Sequence, residues 1–336
     1  MSAGRASRAV KAFPFDPFIL ALLIVAVLGL LLPAQGIAAI AVNYLKIFAI
    51  ALLFFLQGVR LQRSAVLAGM MHWRLQLLAL AATFLLFPML GLALHALMPA
   101  ALDGALWSGI LFLCALPSTV QSSIAFTSIA GGNVSAAICA ATASNLLGIA
   151  ITPLLVALLL NLHGDIAPLG QINAIVGQLL IPFIAGQFAG PWLRPWAMRH
   201  ATLLGVTDRS SILLVVYAAF SAAVLSGAWL DVRWIELAKL VLLSTIILAL
   251  VLGATWLASR ATHFAREDEI AVVFCGSKKS LATGVPMANI LFPAATVGLM
   301  ILPVMIFHQL QLLVCAYLAR RYAAGAGRGG HAIRQL

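Results

Sequence analysis

Between residues 17 and 319 the sequence repeats one pattern, an apolar stretch about as long as a bilayer is thick followed by a short interval of Arg, Pro or Gly. One helix needs roughly 20 apolar residues to cross hydrocarbon, and only helices or closed barrels can satisfy their own backbone there. The stretches fall at 17–33, 37–58, 73–97, 105–130, 133–161, 168–190, 210–229, 234–258, 268–291 and 297–319. About ten transmembrane helices follow, so the fold class expected is an all-α polytopic membrane protein. With 63% hydrophobic and 9% charged residues, little is left for a soluble domain. The longest polar intervals, Arg60–Arg74 and Arg194–Arg209, are too short to form one.

A net charge of +11 in a soluble chain would point to nucleic acid. Here the charges sit in the intervals between apolar stretches, so no nucleic-acid partner is expected and their placement reads as orientation instead. Arg5, Arg8 and Lys11, then Arg60, Arg63 and Arg74, then Arg194, Arg199 and Arg209, then Arg260 and Arg266, and last Arg320, Arg321, Arg328 and Arg334 alternate onto one side. The other side receives Arg233, while Lys46 and Lys239 lie near enough to span ends to snorkel. Basic loops mark the cytoplasmic face, which places both termini there in a multi-pass protein of the cell (inner or plasma) membrane. Trp73, Trp107, Trp192, Trp196, Trp229 and Trp234 fall at the expected interfaces. The N-terminus imitates a secretory signal, with three basic residues before Phe18–Leu32. The apolar run is long for that role, and its removal would break the repeat described next.

Ten spans divide into two sets of five, and an odd number per set turns the second set upside down relative to the first. This gives a cytoplasmic tail at 1–16, a first five-helix repeat at 17–161, an inverted second repeat at 168–322 and a cytoplasmic tail at 323–336. The fourth span of each set is interrupted. Leu116-Pro117-Ser118-Thr119-Val120-Gln121-Ser122-Ser123 breaks one, and Gly276-Ser277-Lys278-Lys279-Ser280 breaks the other, with Gly284 and Pro286 just beyond. Interrupted helices at matching positions, here the fourth and ninth, point to a binding site near the midplane.

Lys278 and Lys279 are the centre of that reading. An ammonium at the bilayer centre costs roughly 2.5–3.5 kcal/mol on insertion scales, so such residues usually face a cavity or a partner. All nine carboxylates lie at or near span ends, leaving none at mid-depth to pair with the lysines. Helix C-terminal carbonyls, a bound anion or loss of the proton remain as compensation. Ser277, Ser280, Gln121, Ser122 and Ser123 offer hydroxyl and amide groups beside the breaks, and half-helix N-termini there favour an anion. In the fifth span Ser135, Thr142, Asn145 and Thr152 recur at helical spacing, and Asn145 is the member hardest to explain by packing alone. His308, Gln309 and Gln311 are interior candidates in the last span, with a structural reading of the histidine preferred. Cys114, Cys139, Cys275 and Cys315 lie in apolar stretches without metal or disulfide spacing and read as packing residues. The chain has no H-E-x-x-H, no G-x-S-x-G, no P-loop and no intramembrane aspartate pair, so enzyme readings lack their reactive groups.

Gly131-Gly132-Asn133-Val134 after the first break and Asn289-Ile290-Leu291-Phe292-Pro293 after the second resemble the bile acid:sodium symporter family. Ala51–Phe55, Phe112–Asn133 and Val273–Ala282 look specifically like its divergent bacterial SBF-like branch. The resemblance implies a core of two crossing broken helices, a smaller panel, inverted repeats and alternating access for an organic anion with sodium. The family's sodium ligands land near Phe274, Lys278, Thr83, Ala137, Ala141, Ser122 and Ser123, and of the fourth- and fifth-span pairs only the fourth, Ser122 and Ser123, keeps oxygen atoms. Thr83 therefore joins the substrate- and ion-binding candidates. A hard cation needs several oxygens, so metal binding reduces to a residual sodium contact at Ser122 and Ser123. A tethered ammonium, Lys278, would stand where relatives hold an ion.

The expectation is a secondary transporter of a small organic anion, embedded in membrane lipid and needing no cofactor. Its coupling ion is left open among sodium, a proton and the lysine itself, and its oligomeric state is not readable. The alternative from another class is a channel-like or regulatory membrane protein with a transporter-like fold.

Overall fold

A computed structural model describes residues 17–60, 72–160, 176–227 and 233–332, with side chains except at residue 19 and from 325 onward. The N-terminal tail 1–16 with its signal-like basic residues, the first part of the 168–190 stretch, Arg63, Trp229, Asp16, Asp165, Asp231 and Arg334 lie outside the described residues. Among the described residues every regular element is helical. They are α1 (Pro17–Leu31), α2 (Ile37–Arg60), α3 (Trp73–Leu97), α4 (Gly104–Ala115), α5 (Gln121–Ile129), α6 (Val134–Leu159), α7 (Ile181–Arg199), α8 (Ala201–Leu225), α9 (Trp234–Ala261), α10 (Arg266–Gly276), α11 (Leu281–Leu291) and α12 (Ala294–Ala332). Two π-helical turns interrupt the pattern, Ala82–Leu86 inside α3 and Val176–Leu180 leading into α7.

Six of these helices, α2, α3, α6, α8, α9 and the Ala294–Ala324 part of α12, are long and apolar enough to cross a membrane. α4, at 12 residues, and α5, α10 and α11, at 9, 11 and 11, are individually too short. Outward faces of the longer helices are apolar: Leu31 at the end of α1, Ile37 at the start of α2 and Leu154 on α6 are at least 70% exposed. Such a surface is stable only against other apolar groups.

Helices pack in two groups. α1 and α2 pack on α8, and α2 packs on α7; α3, α4, α5, α6, α9, α10, α11 and α12 form the larger body, to which α8 is joined through α11 and α12. The α2–α7 contact is a backbone contact. A Cβ added at Gly58 would run into the carbonyl oxygen of Phe183, and one at Gly186 into that of Phe55. Small residues let membrane helices approach this closely.

One boundary differs from expectation. The interval Arg194–Arg209 is helical almost throughout, because α7 runs to Arg199 and α8 starts at Ala201 rather than near 210. The charges that suggested a loop have partners: Arg60 pairs with Asp208 at 2.5 Å, and Arg194 Nε donates to the Val59 carbonyl at 3.1 Å. A charged residue with a tertiary partner does not have to leave the helix. The last helix also outruns the expected end at 319, continuing into the region read as a tail.

Candidate functional site

α4 ends because of Pro117. Proline has no N–H to return to Leu113, and it biases the residue before it away from the helical region; Leu116 is extended, with ψ 153°. The turn is tightly enclosed, since a Cβ at Gly148 would meet Pro117 at 2.7 Å and one at Gly284 would meet Leu116 at 2.5 Å. The second break has no proline. α10 stops at Gly276, Ser277 Oγ turns back to the Val273 carbonyl at 2.6 Å, and Ser280 caps α11 by accepting from the Thr283 N–H at 3.3 Å.

Freed backbone groups in an apolar interior each cost several kcal/mol unless they find partners. Each break supplies the partners of the other. The Lys279 ammonium donates to the carbonyls of Cys114 at 2.8 Å and Leu116 at 2.7 Å, and to that of Thr83 at 2.8 Å. Thr152 Oγ1 donates to Ala115 O at 2.9 Å, the Ser280 N–H to Pro117 O at 2.8 Å, and Asn145 Nδ2 to Ser118 O at 2.6 Å. With Leu116 N–H on Leu113 O at 3.2 Å, every carbonyl from Leu113 to Ser118 is satisfied. In the other direction Ser118 Oγ donates to Cys275 O at 2.6 Å and Ser123 Oγ to Phe274 O at 3.1 Å. Gln311 completes the crossing by pairing with both the N–H and the C=O of Lys279, at 2.8 and 2.9 Å.

Thr83 enters through its backbone. In a π turn the N–H of residue i+5 bonds to the carbonyl of residue i, and Phe87 does so to Ala82. The next in the series would be residue 88, which is Pro88 and has no N–H to give Thr83. The orphaned carbonyl is the one Lys279 takes, while the Thr83 hydroxyl bonds within its own helix to Ala79 O at 2.9 Å.

Lys278 points elsewhere. Its ammonium donates to Ser122 O at 2.9 Å and sits 3.9 Å from the ring centroid of Phe126, with Phe274 at 5.4 Å. Both lysines are fully buried, and among the described residues neither pairs with a carboxylate. The open, solute-accessible chamber expected around them is therefore a closed, carbonyl-lined interior in this conformation. Carbonyls at the end of α4 compensate Lys279, whereas Lys278 reaches a carbonyl in the first turn of α5.

The site residues named from the sequence gather here with two qualifications. Lys278, Lys279, Ser277 and Ser280 form the second break, Ser122 and Ser123 begin α5, and Asn145 and Thr83 approach from α6 and α3. Gln121 is exposed at the start of α5, and Ser135 is exposed rather than interior. His308 Nδ1 meets Gln311 Nε2 at 2.8 Å, which supports that lysine-binding amide. Sequence reading passed over Ser144, whose Oγ accepts the Ser118 N–H at 2.9 Å, and the rings of Phe126 and Phe87, the latter 4.0 Å from the Lys279 ammonium. Pro88, five residues after Thr83, was the available signal for the freed carbonyl.

The arrangement matches a known sequence family: residues 16–324 fit the SBF-like CPA transporter family. The chain belongs to that family. It is 53% identical over 309 residues to the Pseudomonas aeruginosa protein PA2026, covering 92% of this chain and 93% of that one. It is 52% identical over 307 residues to the Escherichia coli K12 protein named "Putative symporter YfeH", covering 91% and 92%. At greater distance it is 26% identical over 279 residues to the rat sodium/bile acid cotransporter 7, covering 82% and 81%. The family is one of transporters, and a multi-pass membrane transporter rather than an enzyme is what the chain is.

Proposed function

We propose that this family member is a secondary active transporter of a small organic anion, working by alternating access with ten crossings in two inverted sets of five. On this reading residues 17–161 and 168–322 are the two repeats, and the charged loops face the cytoplasm of a cell-membrane protein. The solute would bind beside Lys278, Ser122, Ser123 and the exposed Gln121, with Asn145, Ser277 and Ser280 holding the breaks in shape. The name of the distant rat relative, a sodium/bile acid cotransporter, supports an organic anion and a cation-coupled mechanism.

One observation carries the reading: the cation that sits among the carbonyls of the two crossed breaks is part of the chain. The tethered cation expected at Lys278 is on this reading Lys279 instead, whose three carbonyl partners make an oxygen cage of the kind that would otherwise bind a hard cation. Lys278 holds the second positive charge against α5 with a single hydrogen bond. We therefore assign the driving force to a proton, with a lysine standing in for the bound cation instead of sodium, and keep Ser122 and Ser123 as the residual place for a sodium contact.

The test is uptake into proteoliposomes after a thermal-stability screen has identified an anion that stabilises the purified protein. Uphill accumulation that is unchanged when sodium is replaced by choline is expected, and Lys278→Gln should reduce it at least tenfold. Sodium-stimulated accumulation by the wild-type protein would overturn the coupling assignment. Simple equilibration of the solute would favour the channel-like alternative.

A further inference from the structure

A cavity of ≈ 630 Å³ lies away from the crossing, between α9, α10 and α12. Its rim carries Arg260, Arg266 and Arg321. The carboxylate among its lining residues is that of Glu269, which is already engaged: it accepts from the Tyr322 hydroxyl at 2.9 Å and faces Arg260 Nε at 3.5 Å. Three guanidinium groups against one carboxylate leave the rim with a charge surplus. Arg266 and Arg321 are exposed and, among the described residues, neither is paired with a carboxylate, although one nitrogen of Arg266, Nη2, already donates to the Tyr322 carbonyl.

Polarity changes in the same direction on all three helices. α9 carries Leu252 and Gly253 below Trp256 and Arg260, eight residues or about 12 Å along the axis from Leu252 to Arg260. α12 carries Leu318 below Arg321, and α10, running the opposite way, carries Arg266 at the rim and Val273 below it. Gly253 has open space before it, with no atom within 4 Å of a Cβ built there. The Arg260 guanidinium is held over the Trp256 ring at 4.5 Å, where it remains 62% exposed. A cationic rim above an apolar slot about as deep as the first part of an acyl chain has the polarity profile of an anionic lipid.

We propose that this groove seats an anionic phospholipid, its phosphate among Arg260, Arg266 and Arg321 and one acyl chain in the slot beside Gly253, Trp256 and Leu318. Basic residues near the membrane surface each contribute attraction for anionic headgroups, and the apolar slot adds selectivity for a lipid over a free phosphate. The site is separate from the lysine crossing and does not depend on what the protein carries.

Native mass spectrometry and thermal unfolding of the delipidated, detergent-purified protein test this. Phosphatidylglycerol added back should bind and raise the unfolding temperature, phosphatidylcholine should do so much less, and glycerol 3-phosphate at millimolar concentration should not. Arg260→Gln with Arg321→Gln should weaken phosphatidylglycerol binding by about 30-fold. Gly253→Leu, which fills the slot without altering charge, should also weaken it and serves if the arginine variant does not fold. Equal effects of the two lipids, an equal effect of glycerol 3-phosphate, or undiminished binding in Gly253→Leu would overturn the proposal.

Discussion

Lys278 and Lys279 are neighbours in sequence and equally buried, yet they are held in opposite ways. Lys279 uses all three N–H groups on backbone carbonyls and has both of its own backbone groups taken by Gln311. Lys278 makes one hydrogen bond and otherwise lies against an aromatic face. They reach different halves of the partner break: Lys279 the end of α4, Lys278 the start of α5. The pair straddles that break with one charge on each side. A lysine with three fixed acceptors is part of the scaffold, whereas one with a single acceptor and a polarisable ring can exchange partners at low cost. The comparison therefore places rigidity at position 279 and any charge-dependent step at position 278.

The largest expected effect comes from breaking the first member. Lys279→Met leaves three buried carbonyls unpartnered, each worth about 1–3 kcal/mol, so a loss of at least about 3 kcal/mol is expected from thermal unfolding in detergent. A near-wild-type unfolding temperature would show that the carbonyls rearrange and that the scaffold role is misassigned. Gln311→Leu removes both partners of the Lys279 backbone and should cost about 2 kcal/mol in the same measurement. Lys278→Met loses one hydrogen bond and the cation–π contacts with Phe126 and Phe274, a stability change of about 1–2 kcal/mol, while uptake in proteoliposomes should fall at least tenfold. Equal stability losses at 278 and 279 would erase the distinction between them. The smallest effect belongs to Pro88→Ala, which returns an N–H able to compete for Thr83 O; a change under about 1 kcal/mol is expected, and the double variant with Lys279→Met should be less destabilised than the sum of the two.

The two breaks were legible because their causes are local. Pro117 removes an N–H directly before the polar run Ser118–Ser123, a combination that favours a helix end, whereas Pro153, Pro191 and Pro195 have no such polar run after them and are carried inside helices. Gly276 through Ser280 is too polar to continue a helix in hydrocarbon. The direction of each lysine was not legible, since outside a helix no period relates one side chain to the next, and the carbonyls that receive them are distant in sequence. Thr83 shows the limit clearly: the resemblance pointed to it for its position, but what it contributes is a backbone oxygen released by Pro88 in a π turn. Asn145 was singled out as hard to explain by packing alone, and what its amide does in the structure is donate to the Ser118 carbonyl at the first break. At Arg194–Arg209 the charge pattern suggested a loop because Asp208 and Arg194 find their partners only after α2, α7 and α8 have packed.

The glycine contact between α2 and α7 has a mechanical consequence. Backbones that touch at Gly58 and Gly186 leave no side-chain layer to act as a bearing, so those two helices cannot slide or roll past one another without collision. They form a strut. On the alternating-access reading proposed above, the displacement is expected along the seam where α8 meets α11 and α12, and a single methyl at residue 58 would splay the strut.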